Sequence, residues 1–103
     1  MAQNLASLRI TARAESDLLE IYSFISEHAP HVLEKIGGKI SKAFDQITRF
    51  PKSGAFVKEF KSKKYREKIV FHYRIIYKYL EEKRIVQIIT IRHGKRFLPE
   101  LID

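Results

Sequence analysis

At 103 residues the chain is expected to fold as one domain spanning residues 1–103. It has no cysteine, which excludes disulfides, zinc–thiolate sites and thiol nucleophiles. Twenty Lys and Arg against twelve Asp and Glu leave a formal charge of +8, which points to a polyanionic partner: nucleic acid or an acidic protein. In chain order, residues 1–10 show neither a basic stretch followed by an apolar run nor a small-residue cleavage site. No apolar segment approaches the ~20 residues that span a bilayer. A soluble, cytoplasmic protein with no membrane partner is expected.

Ser7 to Ile10 alternates polar and apolar and predicts a short strand. Thr11 then suits a helix N-cap, because its hydroxyl can accept a free N–H of the first turn. The helix that follows places Leu18, Ile21, Tyr22, Ile25 and Ala29 on one stripe. Glu15, Ser16, Asp17, Glu20 and Ser23 fall largely on the wet side. Pro30 ends this helix and can open the next, where a missing N–H costs nothing. From His31 to Phe50, Leu33, Ile36, Ile40, Ala43 or Phe44, Ile47 and Phe50 recur at helical spacing. Gly37-Gly38 inside it costs about 1 kcal/mol per glycine relative to alanine. Either a close helix crossing offsets that cost, or the helix kinks there. Pro51 and Gly54 supply the stop.

Ala55 to Lys64 predicts an ordered loop anchored by Phe56, Val57 and Phe60, with its lysines facing water. A shorter strand from Tyr65 precedes two long ones: Phe71 to Leu80, and Arg84 to Arg92. Both are β-branched or aromatic and free of Gly and Pro, and they fold back around Glu81-Glu82-Lys83. The last strand stops at Gly94 in a cationic cluster. The predicted architecture is α+β, in the order β-α-α-β-β-β: an N-terminal helical hairpin packed on a small antiparallel sheet.

Alternation assigns the faces. Tyr65, Glu67, Ile69 and Phe71 oppose Arg66, Lys68 and Val70; Tyr73, Ile75 and Tyr77 oppose Arg74, Ile76 and Lys78. With the aromatic set turned to the helices, Arg66, Lys68, Arg74, Lys78 and Arg92 are expected together on one open face. Repulsion among them would be relieved by a negatively charged partner. His93, Lys95 and Arg96 extend this cationic surface, and an imidazole such as that of His93 can serve as an acid or base. No Ser, Cys or carboxylate adjoins His93 in sequence. His28, His31 and His72 lack metal-ligand spacing, so no metal or cofactor is expected. No Gly-rich phosphate loop is present.

Four ordered stretches resemble the RelE/ParE superfamily of type II toxin–antitoxin toxins, and most of all its ParE branch. They are Ala14-Glu15-Ser16-Asp17-Leu18 with Ile21-Tyr22 and Ile25, Phe50-Pro51-Lys52-Ser53-Gly54, Tyr73-Arg74-Ile75-Ile76-Tyr77, and His93-Gly94-Lys95-Arg96. The resemblance implies a growth-inhibiting toxin, associated with plasmid stabilisation and held inactive in a hetero-oligomer by an acidic, ParD-like or similar antitoxin. ParE-like members poison DNA gyrase and have no assigned catalysis. RelE-like members cut mRNA on the ribosome, with cations at the scissile phosphate and groups that move a proton from the 2′-hydroxyl. By position, Arg66 and Lys68 fall near the RelE branch's catalytic lysines, Arg74 matches its strand arginine, and Arg96 its phosphate-contacting arginine. The RelE tail tyrosine has no counterpart in Phe97 to Asp103. The resemblance therefore implies a gyrase inhibitor, with a ribosome-dependent mRNA endonuclease or a non-toxic, antitoxin-binding relic as alternatives.

Overall fold

A computed structural model describes residues 5–94. Strand β1 (Ser7–Ile10) leads into helix α1 (Ala12–His28), a 3₁₀ turn at Pro30–Val32 and helix α2 (Leu33–Arg49). Strands β2 (Ala55–Phe56), β3 (Tyr65–Val70), β4 (Tyr73–Leu80) and β5 (Ile85–His93) follow. They form one sheet in the order β1-β5-β4-β3-β2. The α+β layering matches expectation, but the sheet is mixed: β1 runs parallel to β5, and the other neighbours are antiparallel. Two helices and a strand meander separate β1 from β5, and so long a connection permits the parallel pairing that a tight hairpin forbids.

The Thr11 side chain starts α1 by accepting the Ala14 N–H at 3.1 Å, and its hydroxyl also donates to the Ile89 carbonyl at 2.9 Å. One residue thus caps the helix and ties it to β5. The expected stripe then points inward. Ala14 and Ile25 are buried, and Leu18, Ile21 and Tyr22 pack on the core. Helix α2 contributes Ile40, Ala43 and Ile47, and the sheet contributes Val70, Ile75, Tyr77, Val86, Ile88 and Ile91. Fully burying an aliphatic side chain stabilises by roughly 1.5–3 kcal/mol. Ile47, Ile75 and Ile88 are each fully buried and so act as anchors between the layers. Phe50, expected on the α2 stripe, instead caps the helix end and is exposed.

Helix α2 runs unbroken through Gly37-Gly38. A Cβ on Gly37 would meet only the Tyr22 hydroxyl at 4.0 Å, and one on Gly38 would meet nothing within 4 Å. Of the two alternatives left open by the sequence, no helix break occurs, and no crossing is tight enough to demand glycine.

The reverse side of the sheet is covered as well. The stretch after β2 folds over it, so that Val57 and Phe60 pack on Ile76, Tyr65 and Ile89 in a second, smaller cluster. The ordered loop anchored by its apolar residues is therefore present, with β2 as an added two-residue strand. A register shift pairs Ile76 with Thr90 and Tyr77 with Ile88, leaving Ile89 as the bulged residue that points into this second cluster.

The β3–β4 connection is a two-residue turn, Phe71-His72, where one unbroken run from Phe71 was expected. Phe71 adopts φ 54, a left-handed backbone that costs a bulky residue about 1–3 kcal/mol. The residue is 43% exposed. Arg84, at φ 53, plays the same part in the turn between β4 and β5.

Candidate functional site

The two-residue turn at Phe71-His72 decides where the cations lie. It sets Val70 opposite Tyr73, Lys68 opposite Ile75 and Arg66 opposite Tyr77, while Ile69 faces Arg74 and Tyr65 faces Lys78. Residues directly opposite one another share a face. Arg66 and Lys68 therefore lie on the helix side of the sheet, and Arg74 and Lys78 on the reverse side. The expected single face bearing Arg66, Lys68, Arg74, Lys78 and Arg92 does not form. Carrying one alternation through a hairpin fails because a two-residue turn exchanges odd for even positions.

Arg74 is enclosed. It is 7% exposed, and its guanidinium is shared between two carboxylates. Nη1 and Nη2 donate to Glu59 at 2.5 and 2.9 Å, and Nε donates to Glu67 at 2.7 Å. These charge-assisted bonds hold the Glu59 carboxyl below its ordinary pKa and push the Arg74 guanidinium further above its own. Glu67 comes from β3 beside Arg74, whereas Glu59 is delivered by the overlying loop. Arg74 is thus the clasp that fastens that loop to the sheet.

Arg66 is also engaged. Its Nη1 donates to the Lys52 carbonyl at 3.0 Å and the Gly54 carbonyl at 2.8 Å, and its guanidinium stacks over Phe56 at 4.1 Å. The same Pro51–Gly54 turn is gripped from below by Tyr77. The fully buried Tyr77 hydroxyl accepts the Gly54 N–H at 2.9 Å and donates to the Pro51 carbonyl at 2.8 Å. Burial pushes the Tyr77 phenol up, partly offset by the Gly54 bond.

Lys68 lies half-buried beside α2, and Lys78 is half-buried on the other face. Arg92 sits directly opposite Arg74, with its Nε donating to Thr90 Oγ1 at 3.2 Å. His93 stacks near His72, ring centres 6.0 Å apart, and meets Tyr73 edge-on at 6.3 Å. Lys95 and Arg96 lie outside the described residues. Among the described residues no group of three or more His, Asp or Glu is placed to hold a metal ion.

Asp17, expected largely on the wet side of α1, proves structural. Its carboxylate accepts the Thr90 hydroxyl and, at 3.0 Å, the Ile91 N–H. β1 pairs with β5 only as far as Ile88, so the edge beyond lacks a strand partner, and Asp17 supplies one. No local pattern in the helix marks this contact, which joins residues 74 positions apart.

Among the described residues, Arg66 and Lys68 thus lie on one side of the sheet and Arg74 and Lys78 on the other, while Arg66, Arg74 and Tyr77 fasten loops to the strands. In architecture this is the RelE/ParE toxin fold. The family model for the ParE toxin of the type II parDE toxin–antitoxin system matches residues 8–97, and the chain belongs to that family. The toxin of the chromosomal ParDE system of Pseudomonas aeruginosa superposes with TM-score 0.71 at 18% identity, covering 88% of this chain and 98% of that one. A chain of the RelBE2 toxin–antitoxin complex of Mycobacterium tuberculosis gives 0.62 at 21% identity, over 86% and 91%. Isolated Escherichia coli RelE gives 0.56 at 17% identity, over 89% and 87%. No curated protein matches the sequence. The chain is a type II toxin–antitoxin toxin. No helix among the described residues is long and apolar enough to cross a membrane.

Proposed function

We propose that the toxin acts as a ParE-type inhibitor of DNA gyrase in the cytoplasm and is neutralised by a cognate acidic antitoxin. The observation that carries this reading is the enclosure of Arg74. Cleavage of mRNA by Arg66, Lys68, Arg74 and Arg96 requires free cations that converge on the scissile phosphate and strengthen their contacts in the transition state. Arg74 already spends its donors on Glu59 and Glu67, and it lies across the sheet from Arg66 and Lys68. Arg66 donates to two loop carbonyls. A toxin that works by docking on a protein target needs no such convergence, and the match to the ParE family model favours the same target class.

The test is purified toxin with gyrase and supercoiled plasmid. Accumulation of cleaved DNA, with filamentation and a DNA-damage response on induction, supports the reading. Unaffected supercoiling at excess toxin, together with codon-positioned mRNA cuts on translating ribosomes, overturns it in favour of the endonuclease. Harmless expression without antitoxin, with antitoxin binding retained, identifies a non-toxic relic.

A further inference from the structure

Helix α2 and the end of the β3–β4 hairpin enclose an open groove of about 470 Å³, lined by Lys35, Lys39, Lys42 and Lys68. Spacings of four and three put the three α2 lysines on successive turns of one face. Lys68, whose register partner Ile75 is a core residue, lies on the same side of the sheet as the helices. Against these four lysines the lining holds one carboxylate, Glu34. None of the four ammonium groups makes an ion pair with another described residue. Arg74, Arg66 and Lys52, by contrast, are engaged by carboxylates or carbonyls.

Two features of this face lower the stability of the free chain and find no compensation within it. Lys35 and Lys39 are four apart, the spacing at which like charges on a helix repel and opposite charges attract. Towards its C-terminus the same helix uses that spacing for an attractive pair, Asp45 with Arg49 at 3.2 Å. Gly38 lies among the lysines in the lining, and a Cβ there would meet nothing within 4 Å. Packing inside the chain does not call for this glycine, although glycine weakens a helix. Bare backbone among repelling lysines suits the close approach of a rigid polyanion from outside.

We propose that this groove seats the phosphate backbone of duplex DNA, without regard to base sequence. The inference rests on the functional reading above only for the choice of DNA over double-stranded RNA. At about 1.5 Å of rise per residue the three α2 lysines span about 10 Å, close to the length of three phosphates of one strand. Lysine is a compact point charge suited to phosphate, whereas the commonest reader of base edges is the arginine fork, and no arginine lines the groove. A single strand is favoured by open aromatic faces on which its bases stack. The one aromatic ring in the lining, Phe71, already has the Lys39 ammonium over it, 4.8 Å from its centre. An acidic protein segment needs an apolar anchor as well as charge. Ala43 and Val70, the apolar residues beside the lysines, are already buried in the core.

The experiment titrates the full toxin chain, without gyrase, onto a labelled duplex of about 20 base pairs and follows anisotropy across a salt series. Two duplexes of unrelated sequence should bind within about threefold of each other, and log K should fall against log salt with a slope of about −3. K39Q/K42Q, with an unchanged thermal midpoint, is expected to bind at least about tenfold more weakly at low salt, with a slope shallower by about 2. G38Q covers the bare backbone without removing a charge; it should weaken binding about fivefold with no fall in thermal midpoint. K58Q/K61Q removes the same charge from exposed positions on the loop over the other face, and should stay within about threefold of wild type. Equal affinity of K39Q/K42Q and wild type, or an equal loss in K58Q/K61Q, overturns the inference. So does tighter binding of double-stranded RNA of the same sequence, or of a poly-glutamate peptide of equal charge. Gyrase inhibition is read separately, on supercoiling. A toxin that binds the duplex through Lys39 and Lys42 yet leaves supercoiling untouched overturns the gyrase reading and upholds the groove.

Discussion

The Tyr77 hydroxyl and the Gly54 N–H, 23 positions apart, form a buried hydrogen bond of 2.9 Å. That bond joins the Phe50–Gly54 stretch to the Tyr73–Tyr77 strand, two of the stretches that carry the family likeness. Both stretches have a structural role in this clamp. Gly54 is required by space: a Cβ there would lie 2.4 Å from the Tyr77 hydroxyl and 2.7 Å from the Glu67 carbonyl oxygen. The second neighbour is backbone and cannot swing aside.

Gly54→Ala is accordingly expected to destabilise the fold by about 2–3 kcal/mol, the usual cost of overpacking a filled site. Tyr77→Phe fits the same space but leaves the Gly54 N–H unpaired, at about 1–3 kcal/mol. Urea unfolding of both variants checks the pair. A Tyr77→Phe protein as stable as wild type would remove the clamp from the account.

Arg74 gives a second outcome. Deleting it leaves Glu67, whose side chain is 16% exposed, without the guanidinium that balances it. Breaking a largely buried ion pair from one side costs about 3–5 kcal/mol. Arg74→Ala should therefore unfold at lower denaturant, and any loss of toxicity should track the loss of fold. Arg74→Lys restores charge but not the fork that reaches two carboxylates, and should recover only part of the stability. A well-folded, fully stable Arg74→Ala protein without toxicity would return Arg74 to a direct functional role.

The Glu59 carboxyl is held below its ordinary pKa chiefly by its bond to Arg74. Its contribution to stability is therefore complete above the usual carboxylate range and is lost as pH falls through the depressed folded value. Because the Glu59 side chain is 24% exposed, the effect is modest, roughly 0.5–1 kcal/mol. The comparison is unfolding free energy at pH 7 and pH 3 for wild type and Glu59→Gln. The wild type should lose more than the variant between those two values. Equal losses would place the acid sensitivity elsewhere.

Element types were legible because each rests on a local rule: the Thr11 cap, the 3.6-residue stripes of α1 and α2, and the β-branched runs of β4 and β5. The partner of each strand was less so. Parallel pairing of β1 with β5 and the role of Asp17 depend on residues more than seventy positions away. The cationic surface failed for a different reason. Phe71 carries no Gly or Asn signal for a left-handed turn, so the hairpin was hidden inside an apolar run and the faces of β3 were assigned the wrong way round. Nor does an arginine amid apolar neighbours announce its partners; Glu59 and Glu67 reach Arg74 from two separate segments.

The Gly37-Gly38 pair offers the last test, because here local propensity and packing give opposite signs. Had the helices crossed closely at these residues, a methyl group would force α1 and α2 apart and destabilise the hairpin. Instead, a Cβ on Gly38 meets nothing within 4 Å, and one on Gly37 makes ordinary contact with the Tyr22 hydroxyl at 4.0 Å. Propensity then decides. Gly38→Ala is expected to raise the unfolding free energy by about 0.5–1 kcal/mol, through less backbone entropy in the unfolded chain and better shielding of the helix. Gly37→Ala should act in the same direction. Thermal melts or urea titrations of each single variant measure it, and a fall in stability for Gly38→Ala would mean that the α2 face beside Lys39 and Lys42 is more crowded than its geometry allows.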